Sequence, residues 1–284
     1  MIVWLRGRYD EQKITSIRGR HIDETTYYRD HWVEVEPERL AAYKEMFKWR
    51  PEMAPLLAPA DLQPGQTVVD YGCGPGGLLL ELARRASSSG HVHGVDLNQE
   101  FVDIARKVMA EAGFGGFSSV HHAPDDRIPL AEASVDRLVC KNVMEYVPDI
   151  ATTLREFRRV MKPGGKTHII DSDWGMLVVE PLGAEKIAEL FDAAKLAYHT
   201  PHAGRMLYSE MKKAGFSDVS VKILANPDTK GHMQLVLHNM VNYAKIGGRI
   251  DPKRADQLLA EVKQSIADGL FMLVLPQFLV TGQA

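Results

Sequence analysis

The stretch Val68-Val69-Asp70-Tyr71-Gly72-Cys73-Gly74-Pro75-Gly76-Gly77 constrains the fold of this chain more than any other. Apolar residues run into a carboxylate, a glycine-rich turn follows, and residues 78–86 carry a helical pattern. Strand, tight turn and helix in that order make a cradle, with glycines where backbone must approach a ligand closely. The spacing Gly72-x-Gly74-x-x-Gly77 also fits a dinucleotide turn, which would set a pyrophosphate beside the helix N-terminus. Asp70 argues against that ligand, because a carboxylate at the strand end repels a pyrophosphate. The same carboxylate suits a ligand carrying an ammonium and a sulfonium.

The chain around this turn alternates strand and helix. Strands are expected over 67–71, 91–96, 118–122, 135–141 and 166–171, with helices over 76–86, 100–112 and 150–160 between them. Such alternation with short connections argues a parallel sheet with helices on both faces, and ligands outside the carboxyl ends of the strands. Asp70, Asp96, Asn142 and Asp171 all fall at expected carboxyl ends. The later chain reads as helices over 183–198, 206–214, 233–246 and 252–268, with strands over 219–224 and 271–281. Pro276 lacks a ladder donor and belongs at a strand start or a bulge. Ahead of the sheet, residues 37–49 and 51–57 read as helices, and Pro64-Gly65 as a turn.

Composition excludes several classes. A formal charge of −3 gives no electrostatic reason to expect nucleic acid. No apolar run is long enough to span a bilayer, and Arg6 interrupts the N-terminal apolar stretch, so neither a membrane partner nor a signal segment is expected. Two cysteines, Cys73 and Cys140, make no disulfide framework and point to a reducing cytoplasm. His199-Thr200-Pro201-His202 and His121-His122 lack acidic or thiol companions, so no metal is expected.

The segment Asp70 to Gly76 resembles the first motif of the class I S-adenosylmethionine-dependent methyltransferases. Asp96, within His93-Gly94-Val95-Asp96-Leu97, resembles the acid after the second strand of that family. Asp136 to Asn142 resembles the fourth strand, and Met161-Lys162-Pro163-Gly164-Gly165 the turn before the fifth. The resemblance is close over residues 60–172 and loose elsewhere, and is nearest to small-molecule enzymes of the quinone, sterol and natural-product type. It implies a Rossmann-like, seven-stranded, mostly parallel sheet with only its last strand antiparallel. It implies S-adenosyl-L-methionine as cofactor, held by Asp70, Gly72, Cys73 and Gly74, with Asp96 on both ribose hydroxyls and Leu97 near the adenosine. The third motif departs from the family pattern. Counting back from Pro129 gives Pro124 where the family has an aspartate, so Asp125 is taken for the adenine, with an Ala123 backbone contact as the alternative. Cys140, Lys141 and Asn142 end the fourth strand, where a backbone carbonyl is expected to hold the methionine ammonium, with Asn142 among the cofactor-binding residues.

The family's last two strands are joined by a short hairpin, whereas here residues 226–268 intervene, expected as a helical cap. The chain is thus divided into an N-terminal arm and lid over 1–58 and a methyltransferase domain over 59–284. Residues 1–25 are charged and aperiodic, an arm. Tyr27, Tyr28 and Trp32 combine apolar bulk with polar tips and are expected in the substrate pocket, from this chain or from a neighbour in a homo-oligomer. A hydroxyl or acidic-carbon acceptor needs a base, for which Tyr146, Glu145, His199 and His202 are candidates. The expected activity is methyl transfer to carbon, oxygen or nitrogen of a small molecule, of secondary metabolism. The alternative is a cofactor-retaining cyclase or eliminase, or a binding subunit of the same fold.

Overall fold

The computed structural model describes residues 22–284. Most of the arm expected over residues 1–25 therefore lies outside the described residues. The first elements are helical: α1 (Tyr27–Val33), α2 (Pro37–Met46) and the short α3 (Ala54–Leu57). Pro37 stands at the first turn of α2, where its missing N–H costs nothing.

The sheet then builds as the alternation requires. β1 (Thr67–Tyr71) leads to α4 (Gly77–Ala86), β2 (His91–Asp96) to α5 (Gln99–Glu111), and β3 (Ser118–His122) to β4 (Val135–Lys141). The Asn98 side chain caps α5 by accepting from the Phe101 N–H at 2.9 Å. The helix α6 (Ile150–Val160) is capped by Asp149, whose carboxylate accepts from the Ala151 and Thr152 amides. It returns the chain to β5 (Met161–Ser172), longer than expected because the Pro163-Gly164-Gly165 turn sits inside it beside a register shift.

Beyond β5 come β6 (Val178–Glu180), α7 (Gly183–Ala194), α8 (Ala203–Lys213), β7 (Ser217–Leu224), α9 (Gln234–Ile246) and α10 (Pro252–Asp268). The run expected as one final strand is two: β8 (Met272–Val274) and β9 (Gln277–Gln283). Pro276 separates them, as a residue without a ladder donor should. The main sheet has seven strands in the order β3-β2-β1-β4-β5-β9-β7. β1 to β5 pair in parallel, and β9 runs antiparallel between β5 and β7, with Val280 opposite both Ile169 and Val221.

Alternate residues of β1 feed two cores. Val68 packs with Leu79, Leu82 and Val102 under α4 and α5, while Val69 packs with Leu154 and Phe157 of α6. A third core lies at one end of the sheet. It joins α7, α9, α10, Trp174, Tyr198 and Leu273. Residues 226–268 therefore supply only part of this lobe. Trp174 and α7 are inserted directly after β5, Phe271, Leu273 and Leu275 follow α10, and Tyr27 of α1 is buried in the same core. The backbone amides of His199 and Thr200 donate to the Glu145 carbonyl, each at 3.0 Å, which ties the lobe to the turn after β4. The lobe thus stands over the carboxyl ends of β4 and β5. Among the described residues, no helix is long and apolar enough to cross a membrane.

Candidate functional site

A cavity opens at the carboxyl ends of β1, β2 and β4. Its floor is the glycine turn. Gly72 has φ +73, and a Cβ there would stand 2.3 Å from Val143 Cγ2, so no side chain fits. A Cβ on Gly77 would meet the Phe47 carbonyl oxygen at 2.0 Å. The chain leaving α2 therefore rests directly on the start of α4. Asp70, Gly72, Cys73, Gly74, Asp96, Leu97 and Asn142 all line the cavity.

The acids beneath this cavity are costly to bury. Asp70 is 1% exposed, and its Oδ2 has no hydrogen-bond partner. Burial, and then the charge of Asp96, push its carboxyl up to about 8, opposed by Lys141. Asp96 braces the turn: the Gly74 amide donates to one carboxylate oxygen at 2.7 Å and the Asn98 amide to the other at 2.9 Å. Burial raises it to about 6 against those amides. The Leu97 amide also lowers it, and a carboxylate with four acceptor sites against three amides keeps room for a hydroxyl donor. Asn142 ends β4 with φ +54, and its buried Oδ1 is likewise unpartnered. A positive φ outside glycine is held there by its surroundings, for the Asn142 amide donates to the Ile170 carbonyl at 2.8 Å. Asp171 supports the same turn by accepting from the Val143 and Met144 amides at 3.2 and 2.9 Å. Lys141 lines the cavity above this acidic group, lowered by burial and held up by Asp171, Asp70 and Glu145.

The wall opposite the sheet comes from the N-terminal helices. Trp32, Met46, Phe47 and Trp49 face the cavity. Arg29 of α1 pairs with Asp126 and donates to the Pro124 carbonyl, and both Arg29 and Asp126 line the cavity. The Asn98 side-chain amide donates to the Trp32 carbonyl at 2.8 Å. α1 is thereby fastened across the cavity to the loops after β2 and β3.

Several expected residues stand elsewhere. Asp125 is exposed and accepts from the Arg127 amide, and the acid that lines the cavity is its neighbour Asp126, turned inward at φ +62. Of the aromatic segment only Trp32 lines the cavity. Tyr27 is buried against His31 and Tyr243, and Tyr28 packs on His199. Of the four candidate bases only Tyr146 reaches the cavity wall. Glu145 is buried behind it, accepts from the Trp174 indole, and is pushed well above its ordinary range by burial and by Asp171. His199 is exposed, and His202 contacts Asp173 at 3.2 Å beside Arg205. Arg29, Asp126 and Lys141 were missed. Lys141 and Asp126 adjoin expected residues, whereas nothing in the sequence around Arg29 marks it. Among the described residues, no group of three or more metal-ligating side chains converges.

What this arrangement can do is hold a cation. A glycine floor admits close backbone approach, and two buried carboxylates with raised pKa values gain most when a positive or hydrogen-bond-donating ligand arrives. Comparison with known proteins places the chain in a family. The methyltransferase-domain family matches residues 62–215. An uncharacterized 37.1 kDa protein encoded in a Streptomyces fradiae transposon is 36% identical over 132 residues, 44% of this chain and 35% of that protein. Demethylmenaquinone methyltransferase of Bacillus velezensis is 28% identical over 131 residues, 46% of this chain and 54% of that enzyme. The matched stretch thus spans between a third and just over half of these two relatives. In fold, the chain is similar to a Haemonchus contortus phosphoethanolamine N-methyltransferase solved with phosphomonomethylethanolamine and S-adenosylhomocysteine. The TM-score is 0.62 at 18% identity, over 93% of this chain and 60% of that one.

Proposed function

This chain belongs to the class I S-adenosylmethionine-dependent methyltransferase family, and on that premise we propose that it transfers a methyl group from S-adenosylmethionine to a small molecule. The observation that carries this reading is the orphaned Oδ2 of Asp70, buried beside a glycine turn in which Gly72 has no room for a side chain. It is a buried carboxyl whose proton a cationic ligand would displace, leaving the carboxylate to face the positive charge. The residues present fit the cofactor. The glycine turn and Asp70 would receive the methionine end, together with the Asn142 side chain and a carbonyl at the end of β4. Asp96 would accept from the ribose with its remaining acceptor capacity. Leu97, Ala123 and Asp126 would enclose the adenine.

When bound, the cofactor supplies a methyl already activated on sulfur, so the protein's task is alignment and exclusion of water. Trp32, Phe47 and Trp49 give that cavity an apolar wall, and the Arg29–Asp126 pair holds α1 across it. Tyr146 is the candidate proton acceptor that adjoins the cavity, though burial keeps its hydroxyl protonated well above the usual range. In that state it donates or relays a hydrogen bond and does not act as a phenolate. The test is incubation with methyl-labelled S-adenosylmethionine and a small-molecule cell extract. Label in an extractable product supports the reading. Stoichiometric binding without any transferred label would contradict it.

A further inference from the structure

Two adjacent polar atoms on α1 have nothing to bond to. The His31 ring is 4% exposed, and its Nδ1 lies 2.6 Å from the Tyr27 carbonyl oxygen. A carbonyl only accepts, so Nδ1 carries the proton and Nε2 is left as the acceptor. That Nε2 is buried without a partner. The indole Nε1–H of Trp32, the next residue, is also buried without a partner. The two ring centroids are 5.1 Å apart, and both rings contact Tyr146, at 5.8 Å for His31 and 5.1 Å for Trp32. Trp32 and Tyr146 line the cavity described above. A free donor on a residue of the cavity wall and a free acceptor on the neighbouring ring are therefore carried by one helix, pinned by Arg29–Asp126 and Asn98–Trp32. Burial pushes His31 down to about 3, so the acceptor survives at any physiological pH.

What each orphan atom can bond to limits the chemistry of the partner. An ammonium cannot accept from Trp32, and a carboxylate or ketone cannot donate to His31. A hydroxyl does both through one oxygen. The surrounding rings of Tyr27, Trp32, Tyr146 and Tyr243 favour an apolar, flat carrier for it. We propose that His31 Nε2 and Trp32 Nε1 clamp a hydroxyl group borne on an apolar ring of the methyl acceptor. This rests on the methyl-transfer reading for the word acceptor, but the clamp itself does not.

The test uses the full chain saturated with S-adenosylhomocysteine, titrated calorimetrically with 4-phenylphenol and with 4-methoxybiphenyl, which lacks the donor. The clamp predicts that the phenol binds about tenfold or more tighter than the ether, the scale of one buried hydrogen bond. His31→Phe should remove most of that preference while leaving the affinity for S-adenosylhomocysteine unchanged, and Trp32→Phe should remove it as well. In the unsubstituted protein labelled with 15N-histidine, an unprotonated Nε2 resonance should move with the phenol and stay still with the ether, a readout that needs no variant to fold. Equal binding of the two probes, binding of neither, or a preference that persists in both variants would overturn the clamp. A clear preference in a chain that fails to bind S-adenosylhomocysteine would keep the clamp and remove the methyl-transfer reading instead.

Discussion

Burial at the carboxyl end of β1 raises the Asp70 carboxyl from 3.8 to about 8, so the empty fold keeps a proton there that the unfolded chain has released. Between those values the native state binds more protons, and its stability falls as pH rises through the window. Asp70→Asn should therefore raise the melting temperature of the ligand-free protein at pH 8 and leave it nearly unchanged at pH 4. The same substitution should weaken S-adenosylhomocysteine binding. In the unsubstituted protein that affinity should strengthen as pH approaches 8, whereas the Asn variant should show a flatter profile. Calorimetry and melting curves at several pH values check both halves. Gly72 makes a second case. A Cβ there meets Val143 at a backbone angle that side chains rarely adopt, so Gly72→Ala should cost about 1–3 kcal/mol in a denaturant titration. Single residues also mark where sequence reading stopped. Asp70, Gly72 and Asp96 were legible because a strand end and a turn dictate where they point. Residue counting led to Asp125 and could not see that its neighbour Asp126 takes a positive φ and lines the cavity.

At the scale of elements, α1 is held across the cavity by the Arg29–Asp126 ion pair, by Arg29 on the Pro124 carbonyl and by Asn98 on the Trp32 carbonyl. Both partners of the Arg29–Asp126 pair are partly solvated, at 20% and 24% side-chain exposure, so its worth to stability is at most about 1 kcal/mol. Arg29→Ala should therefore barely change the melting temperature. It should nonetheless speed hydrogen exchange over residues 27–33 and raise the dissociation rate of S-adenosylhomocysteine severalfold. Unchanged exchange in that helix would mean that the pair does not fasten it. The elements of the sheet from β1 to β4 were readable to the residue, since alternating apolar periods and short connections leave little choice. β8 and β9 were not separated in advance. Pro276 marks the break in the run from Phe271, but the pairing that sends Met272–Val274 to β6 and Gln277–Gln283 into the main sheet is tertiary. Likewise, the lobe over the site uses chain from both sides of α8, a contact between distant segments that no local pattern announces.

The whole molecule sets a glycine-floored cavity between a doubly covered sheet and a second apolar lobe, with α1 bridging the two. A ligand in that position stabilises the native state by mass action, adding about 2.7 kcal/mol at about 100 times its Kd. Saturation with S-adenosylhomocysteine should accordingly raise the melting temperature and protect both the turn after β1 and α1 from exchange. The most direct test of the account is the calorimetric affinity for S-adenosylhomocysteine of the unsubstituted chain and of Asp96→Ala. The account predicts one site per chain, weakened by about 1–3 kcal/mol in the variant, the scale for hydrogen bonds lost to a charged acceptor. No binding by the unsubstituted chain, or equal affinity in a folded Asp96→Ala variant, would contradict it.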